Sequence, residues 1–272
     1  MPSEYATSEY ATMMWIESGF ETSRAVPDVT TYNDADKQEQ EMDGLKILLT
    51  QRADYQKYFR EDWDNEELLS EDDFNLFKST IVNEVYCGHA KMNSGNALKL
   101  KKAVYDYIIE YKLGDEKNIK INEKTRKTEP LFNPAQIKAI LKINKHIFNI
   151  MLNDIASAHL ERNSTDYTFK RGLKAKSSNE LQKFMKMGGL NCYTLANSIS
   201  DKFMSGKAGA QNVVRIYADV WSDSILYNSI IFPAKGVEQL EFGIVSHPNK
   251  MELEYHGEYD GAKEYMLKKP MP

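Results

Sequence analysis

Downstream of residue 210 the apolar residues stop recurring every three or four positions. They gather instead into short β-branched and aromatic runs. Asn212–Trp221 is the first run, Ser224–Pro233 the second, Val237–Val245 the third, and Met251–Tyr255 a short fourth. Ser222-Asp223, Lys235-Gly236 and Pro248-Asn249 supply turn chemistry between them. Links this short predict a meander of antiparallel strands, because a parallel crossover needs about a dozen residues or more. The segment before this change reads as helices. Helices first and strands afterwards predict an α+β fold.

The helical signals are specific. Ser70 and Asp73 form a capping-box pattern ahead of Phe74, Phe77, Ile81 and Val85, which share one face. Leu100, Val104, Ile108 and Tyr111 make a second stripe, stopped by Gly114. Residues 115–131 are polar and charged and read as a loop. Asn133-Pro134 then offers an N-cap and a proline at the first helical position. Ile137, Ile140, Leu141, Phe148, Met151 and Ile155 line one face of the helix that follows, with Lys138, Lys142, Lys145 and Asn149 opposite. Lys170, Arg171, Lys174 and Lys176 read as a solvated basic loop, with an anion or acidic-partner contact as the minor alternative. A helix over 179–187 is stopped by Gly188-Gly189.

Residues 1–40 keep no period and read as a disordered arm. Within it Ser3-Glu4-Tyr5-Ala6-Thr7 repeats directly as residues 8–12, either a solvated tail or an export or phosphotyrosine docking segment. The expected division is therefore an arm (1–40), a helical region (41–187) and an α+β region (188–272). A chain of 272 residues with net charge −5 lacks the basic balance of a dedicated nucleic-acid binder. Its two cysteines, Cys87 and Cys192, exclude a disulfide framework. No apolar run is long enough to span a bilayer, and the start carries no Sec-type signal. A cytoplasmic protein, or one exported by another route, is expected. No phosphate-binding glycine motif or one-turn His pair is present, so no cofactor and no metal are expected.

Cys192 stands at the junction of the two halves. Two glycines precede it, and Leu195, Ile199 and Phe203 mark the face of a helix after it. That reading puts Cys192 at or just before a helix N-terminus, where free N–H groups and the helix dipole favour a thiolate nucleophile. The alternative is a thiol that only packs.

Gly189-Leu190-Asn191-Cys192-Tyr193-Thr194-Leu195-Ala196, with Asp201 and Gly206 beyond, resembles the nucleophile helix of papain-like and transglutaminase-like bacterial effectors and toxins. The resemblance covers residues 188–257. It implies a papain-like fold in which an Asn-Cys pair opens a helix packed on an antiparallel sheet. It also implies cysteine protease or glutamine deamidase activity on a host protein. In that family the base is a histidine heading the strand that here reads Ile225-Leu226-Tyr227-Asn228-Ser229-Ile230, and no histidine stands there. His247 is the candidate base, His256 a lesser one, with Asp260 or Asn249 as orienter. The catalytic set implied is Cys192, His247 and Asp260. The other expectation is a relative that has lost its base and works by binding a host protein. His247 also has an ordinary reading, as part of a Ser-His-Pro-Asn turn.

Overall fold

The computed structural model describes residues 46–86, 95–117, 119, 121–158, 167–186, 189–195, 211–233, 240–248, 251–259 and 262–269. The repeat-bearing arm, Cys87, His89, His159, Asn249 and Asp260 lie outside the described residues. So does the helix expected over Leu195–Phe203, beyond its first residue. The fold is α+β, with N-terminal helices followed by a seven-strand, mostly antiparallel open sheet.

Helix α1 (Arg52–Asp64) buries Tyr55, Phe59 and Trp63 one turn apart. Helix α2 (Glu71–Thr80) starts where the capping box predicts. The Ser70 hydroxyl accepts from Asp73 N, and Asp73 Oδ2 accepts from Ser70 N. Its last turn widens into a π-helical turn, Ile81–Val85, that delivers Tyr86. Helix α3 (Gly95–Glu110) buries the predicted Leu100, Val104 and Ile108. The loop expected over 115–131 carries one short helix, α4 (Glu123–Arg126), capped by Asn122. Helix α5 (Pro134–Ala158) starts at the predicted proline, with Asn133 and Gln136 exchanging hydrogen bonds of 2.9 and 3.0 Å. Helix α6 (Ser178–Lys186) completes the set.

The strands are β1 (Thr168–Lys174), β2 (Leu190–Thr194), β3 (Gln211–Tyr217), β4 (Ile225–Asn228), β5 (Glu241–Val245), β6 (Glu252–Tyr259) and β7 (Ala262–Lys268). Their order in the sheet is β4-β5-β2-β1-β3-β7-β6. Two expectations are corrected here. The basic stretch at 170–174 is no loop: it is β1, the central strand, and it stands inside the region read as helical up to 187. The C-terminal runs also form no simple meander. β4 pairs with β5 and β6 with β7, but β3 pairs with β1 and runs parallel to β7.

The ladder makes β3 and β4 parallel, four places apart, yet only residues 218–224 link them. Sheet twist explains how so short a link suffices. At roughly 20–25° per step, four steps turn β4 nearly perpendicular to β3, so the link rounds a corner instead of crossing a flat sheet. It does so as a 3-10 turn, Ser222–Ser224, with Trp221 buried beside it.

One apolar core runs through both halves. In the helices it is aromatic. Trp63 stacks on Phe77 at 5.8 Å, and Phe59 and Phe77 both meet the edge of Phe232. Between α5 and the sheet, Phe148, Phe169 and Phe242 form a triangle with centroids 4.8–5.5 Å apart.

Candidate functional site

Cys192 is the middle residue of β2, facing Gly243 across the ladder. This corrects the expected helix start. Cys192 therefore lacks the row of unpaired amides and the helix dipole that a helix N-terminus would supply. Gly189 still breaks the chain as read. It sits at φ +67, and a Cβ there would lie 2.3 Å from Ile108 Cδ1.

Strand alternation sorts the neighbours of Cys192. Asn191 and Tyr193 point to one face with Arg171, whose guanidinium donates to Asn191 Oδ1 at 2.8 Å. Cys192 and Thr194 point to the other. Thr194 is opposite both Lys170 and Glu241, and Lys170 is opposite Arg215. A row of polar side chains, Glu241–Thr194–Lys170–Arg215, therefore crosses four strands on the Cys192 face. Arg215 is then paired to Glu264 at 2.6 Å. Glu241, Thr194 and Lys170 are all buried. Ionic side chains are rarely buried without partners.

The sulfur itself is partly exposed and has a defined neighbour. Tyr227, fully buried on β4, lays its ring over Gly243. A Cβ on residue 243 would lie 2.1 Å from Tyr227 Cε1, so only glycine admits the ring. The Tyr227 hydroxyl donates to Glu241 Oε1 at 2.6 Å, which leaves its oxygen to accept from the Cys192 thiol at 3.3 Å. Burial first, then the nearby Cys192 and Glu241, hold the Tyr227 hydroxyl well above the usual tyrosine range, so it stays protonated. Tyr86 packs edge-on against Tyr227 at 5.8 Å and is raised by the same causes. A thiol, a phenol and a carboxylate thus form a chain between β2, β4 and β5.

His247 belongs to a different cluster. Cys192 is opposite Gly243, and His247 lies four residues further on, two past the end of β5. His247 Nε2 lies 3.2 Å from Ser224 Oγ, and its ring meets Trp221 edge-on at 5.5 Å. The Ser224 hydroxyl donates to Asp223 Oδ1 at 2.9 Å and accepts from Lys269 Nζ at 3.1 Å. Lys269 also pairs with Asp223 and stands 5.4 Å over the Trp221 ring. Burial pushes the Asp223 carboxyl up, but the Lys269 hydrogen bond and charge pull it down further, to below its ordinary value. Tyr107, beside this carboxylate, is pushed up to about 12 by burial and then by the Asp223 charge. His256 lies on exposed β6, 3.5 Å from Glu254.

Of the implied set, then, Cys192 and His247 occupy separate clusters. Tyr227 and Glu241 were not singled out from the sequence, nor were Lys269 and Ser224. Their spacing carries no motif: Tyr227 and Glu241 read as one apolar run and the polar position of another. No family model, curated protein or solved structure matches the chain.

Proposed function

We propose that this chain is an effector- or toxin-like cysteine hydrolase that attacks an amide of a protein substrate. In this reading its proton acceptor is Glu241, reached through Tyr227, in place of His247 and Asp260. The observation that supports it is the 3.3 Å and 2.6 Å chain from thiol to phenol to carboxylate. Cys192 Sγ forms a bond to the amide carbonyl carbon. The thiol proton passes to Tyr227 Oη as the phenol proton passes to Glu241. The same protons return to the leaving amine, or to ammonia in a deamidation, as the C–N bond breaks. Water then releases the acyl group from sulfur. The transfer moves one negative charge from carboxylate to sulfur and creates no second charge in a largely closed cluster. Of the papain-like arrangement the proposal keeps the cysteine beside an antiparallel sheet, and not a helix opened by Asn191-Cys192.

A second reading, binding of a host protein without catalysis, is favoured by the strand position of Cys192. One experiment separates them: iodoacetamide labelling of Cys192 against pH in the folded protein, with Tyr227→Phe, Glu241→Gln and His247→Ala beside it. The hydrolase reading expects a wild-type thiol that reacts at neutral pH faster than a free cysteine. It also expects slowing by Tyr227→Phe and Glu241→Gln, and no change in His247→Ala. A thiol no faster than a free one favours the binder. Slowing by His247→Ala returns the base to histidine.

A further inference from the structure

We propose that Lys269 is a strap holding strand β4 in place, so that the seating of Tyr227 on Cys192 depends on this lysine. The inference adds regulation to the site above and rests on that reading only for its functional meaning.

Lys269 is one residue past β7, yet every contact described for it is made to the β3–β4 link. Its ammonium bonds Asp223 and Ser224 and stands over Trp221. Its side chain is 12% exposed and that of Asp223 49%, so the ammonium is mostly shielded on the Ser224 and Trp221 side while the carboxylate stays half in water. His247 grips the same two residues, Ser224 and Trp221, from the end of β5. The link therefore is held by side chains from two strands that are not neighbours in the sheet.

The link leads straight into β4. Ser224 immediately precedes Ile225, the first residue of β4, and Tyr227 is the third. β4 is four residues long, stands at the sheet edge and pairs with β5 alone. Its register also slips between Ile225 and Tyr227. A short, irregular edge strand has little ladder of its own to define its position. The anchor at its start is the Trp221–Ser224 turn, closed by a hydrogen bond from Ser224 N to Trp221 O and tied back to Asp219 O by Ser222 N. Losing Lys269 removes one of the two side-chain holds on that turn, and a loosened turn lies three residues from Tyr227.

The test is hydrogen exchange of the amides of Ser222, Ser224, Tyr227 and Ser229, in the wild type and in Lys269→Met, Lys269→Arg and Lys268→Met. Lys268 is the control: it neighbours the strap but pairs with Glu254 at 2.5 Å on the outer hairpin. The strap predicts a loss of at least about tenfold in exchange protection at these amides in Lys269→Met, recovery in Lys269→Arg, and no loss in Lys268→Met. Iodoacetamide labelling gives a second readout. Lys269→Met slows Cys192 near neutral pH, and its rate meets the wild-type rate at about pH 10, where the thiol ionises unaided. Should Lys269→Met unfold the protein, Asp223→Asn, which keeps the indole contact, is expected to lose protection at the same amides by a smaller factor, up to about fivefold, because its carboxylate is half exposed. Unchanged protection in Lys269→Met, or in Asp223→Asn where that variant is needed, overturns the strap. So does an equal loss in Lys268→Met. A wild-type thiol without activation instead overturns the hydrolase reading and leaves the exchange result standing.

Discussion

The helical half and the sheet bury different kinds of side chain. Around Phe59, Trp63, Phe77 and Phe232 nearly every buried contact is aromatic or aliphatic. At the centre of the sheet Lys170, Arg171, Asn191, Thr194 and Glu241 are buried beside the same core. Apolar contacts are non-directional and stabilise in proportion to the area removed from water. Buried polar groups must be satisfied together, and each loss exposes the desolvation cost of its partner. Both halves share one apolar core, and the sheet carries in addition a polar arrangement whose members depend on one another.

That contrast can be broken most forcefully from the helical side. Trp63→Ala removes a fully buried indole that stacks on Phe77 and donates to Ser70 O at 3.0 Å. Urea unfolding should show a loss of about 3–5 kcal/mol. Below the new midpoint, Cys192 should label as in the wild type. A change in labelling there would mean that the two regions are not separable.

A smaller effect is expected in the sheet. Gly243→Ala would place a methyl against the Tyr227 ring and should cost about 1–3 kcal/mol by overpacking. Unlike the tryptophan change, it should alter the labelling of Cys192 out of proportion to its effect on stability, because it displaces the phenol. Equal stability loss with normal labelling would remove Tyr227 from the site.

The smallest effect is electrostatic. The folded Asp223 carboxyl titrates below its ordinary value, so its contribution is present above the unfolded value of about 3.9 and is lost as pH falls through the lower folded value. The side chain is 49% exposed, which holds the contribution under about 1 kcal/mol. Urea midpoints measured between pH 5 and pH 2.5 should fall less in Asp223→Asn than in the wild type. Identical pH slopes would show that the carboxyl titrates alike in the folded and unfolded states, with the Lys269 contact no more than offsetting burial.

The helical half was the more legible in the sequence because its signals are local. A cap, a proline or a stripe at three-to-four spacing acts within a few residues, so the starts at Ser70 and Asn133 are where the residues say. Strand β1 was misread for the opposite reason. Thr168–Lys174 contains three cations and a glycine, which locally describe a solvated loop. The segment is a strand because Asn191 receives Arg171, and because Lys170 reaches the Leu195 carbonyl at 3.4 Å. Those partners are 20 and 25 residues away.

By itself the sequence determined the class of the fold, the change from helices to strands and several helix boundaries. Each depends on periodicity or on chemistry within one or two turns of chain. Tertiary structure alone decided that Cys192 sits within a strand, that His247 turns to Ser224, and that Tyr227 and Glu241 meet the thiol. Strand order decides these, and order depends on pairings between distant segments and on the accumulated twist of seven strands. No local pattern of residues encodes either.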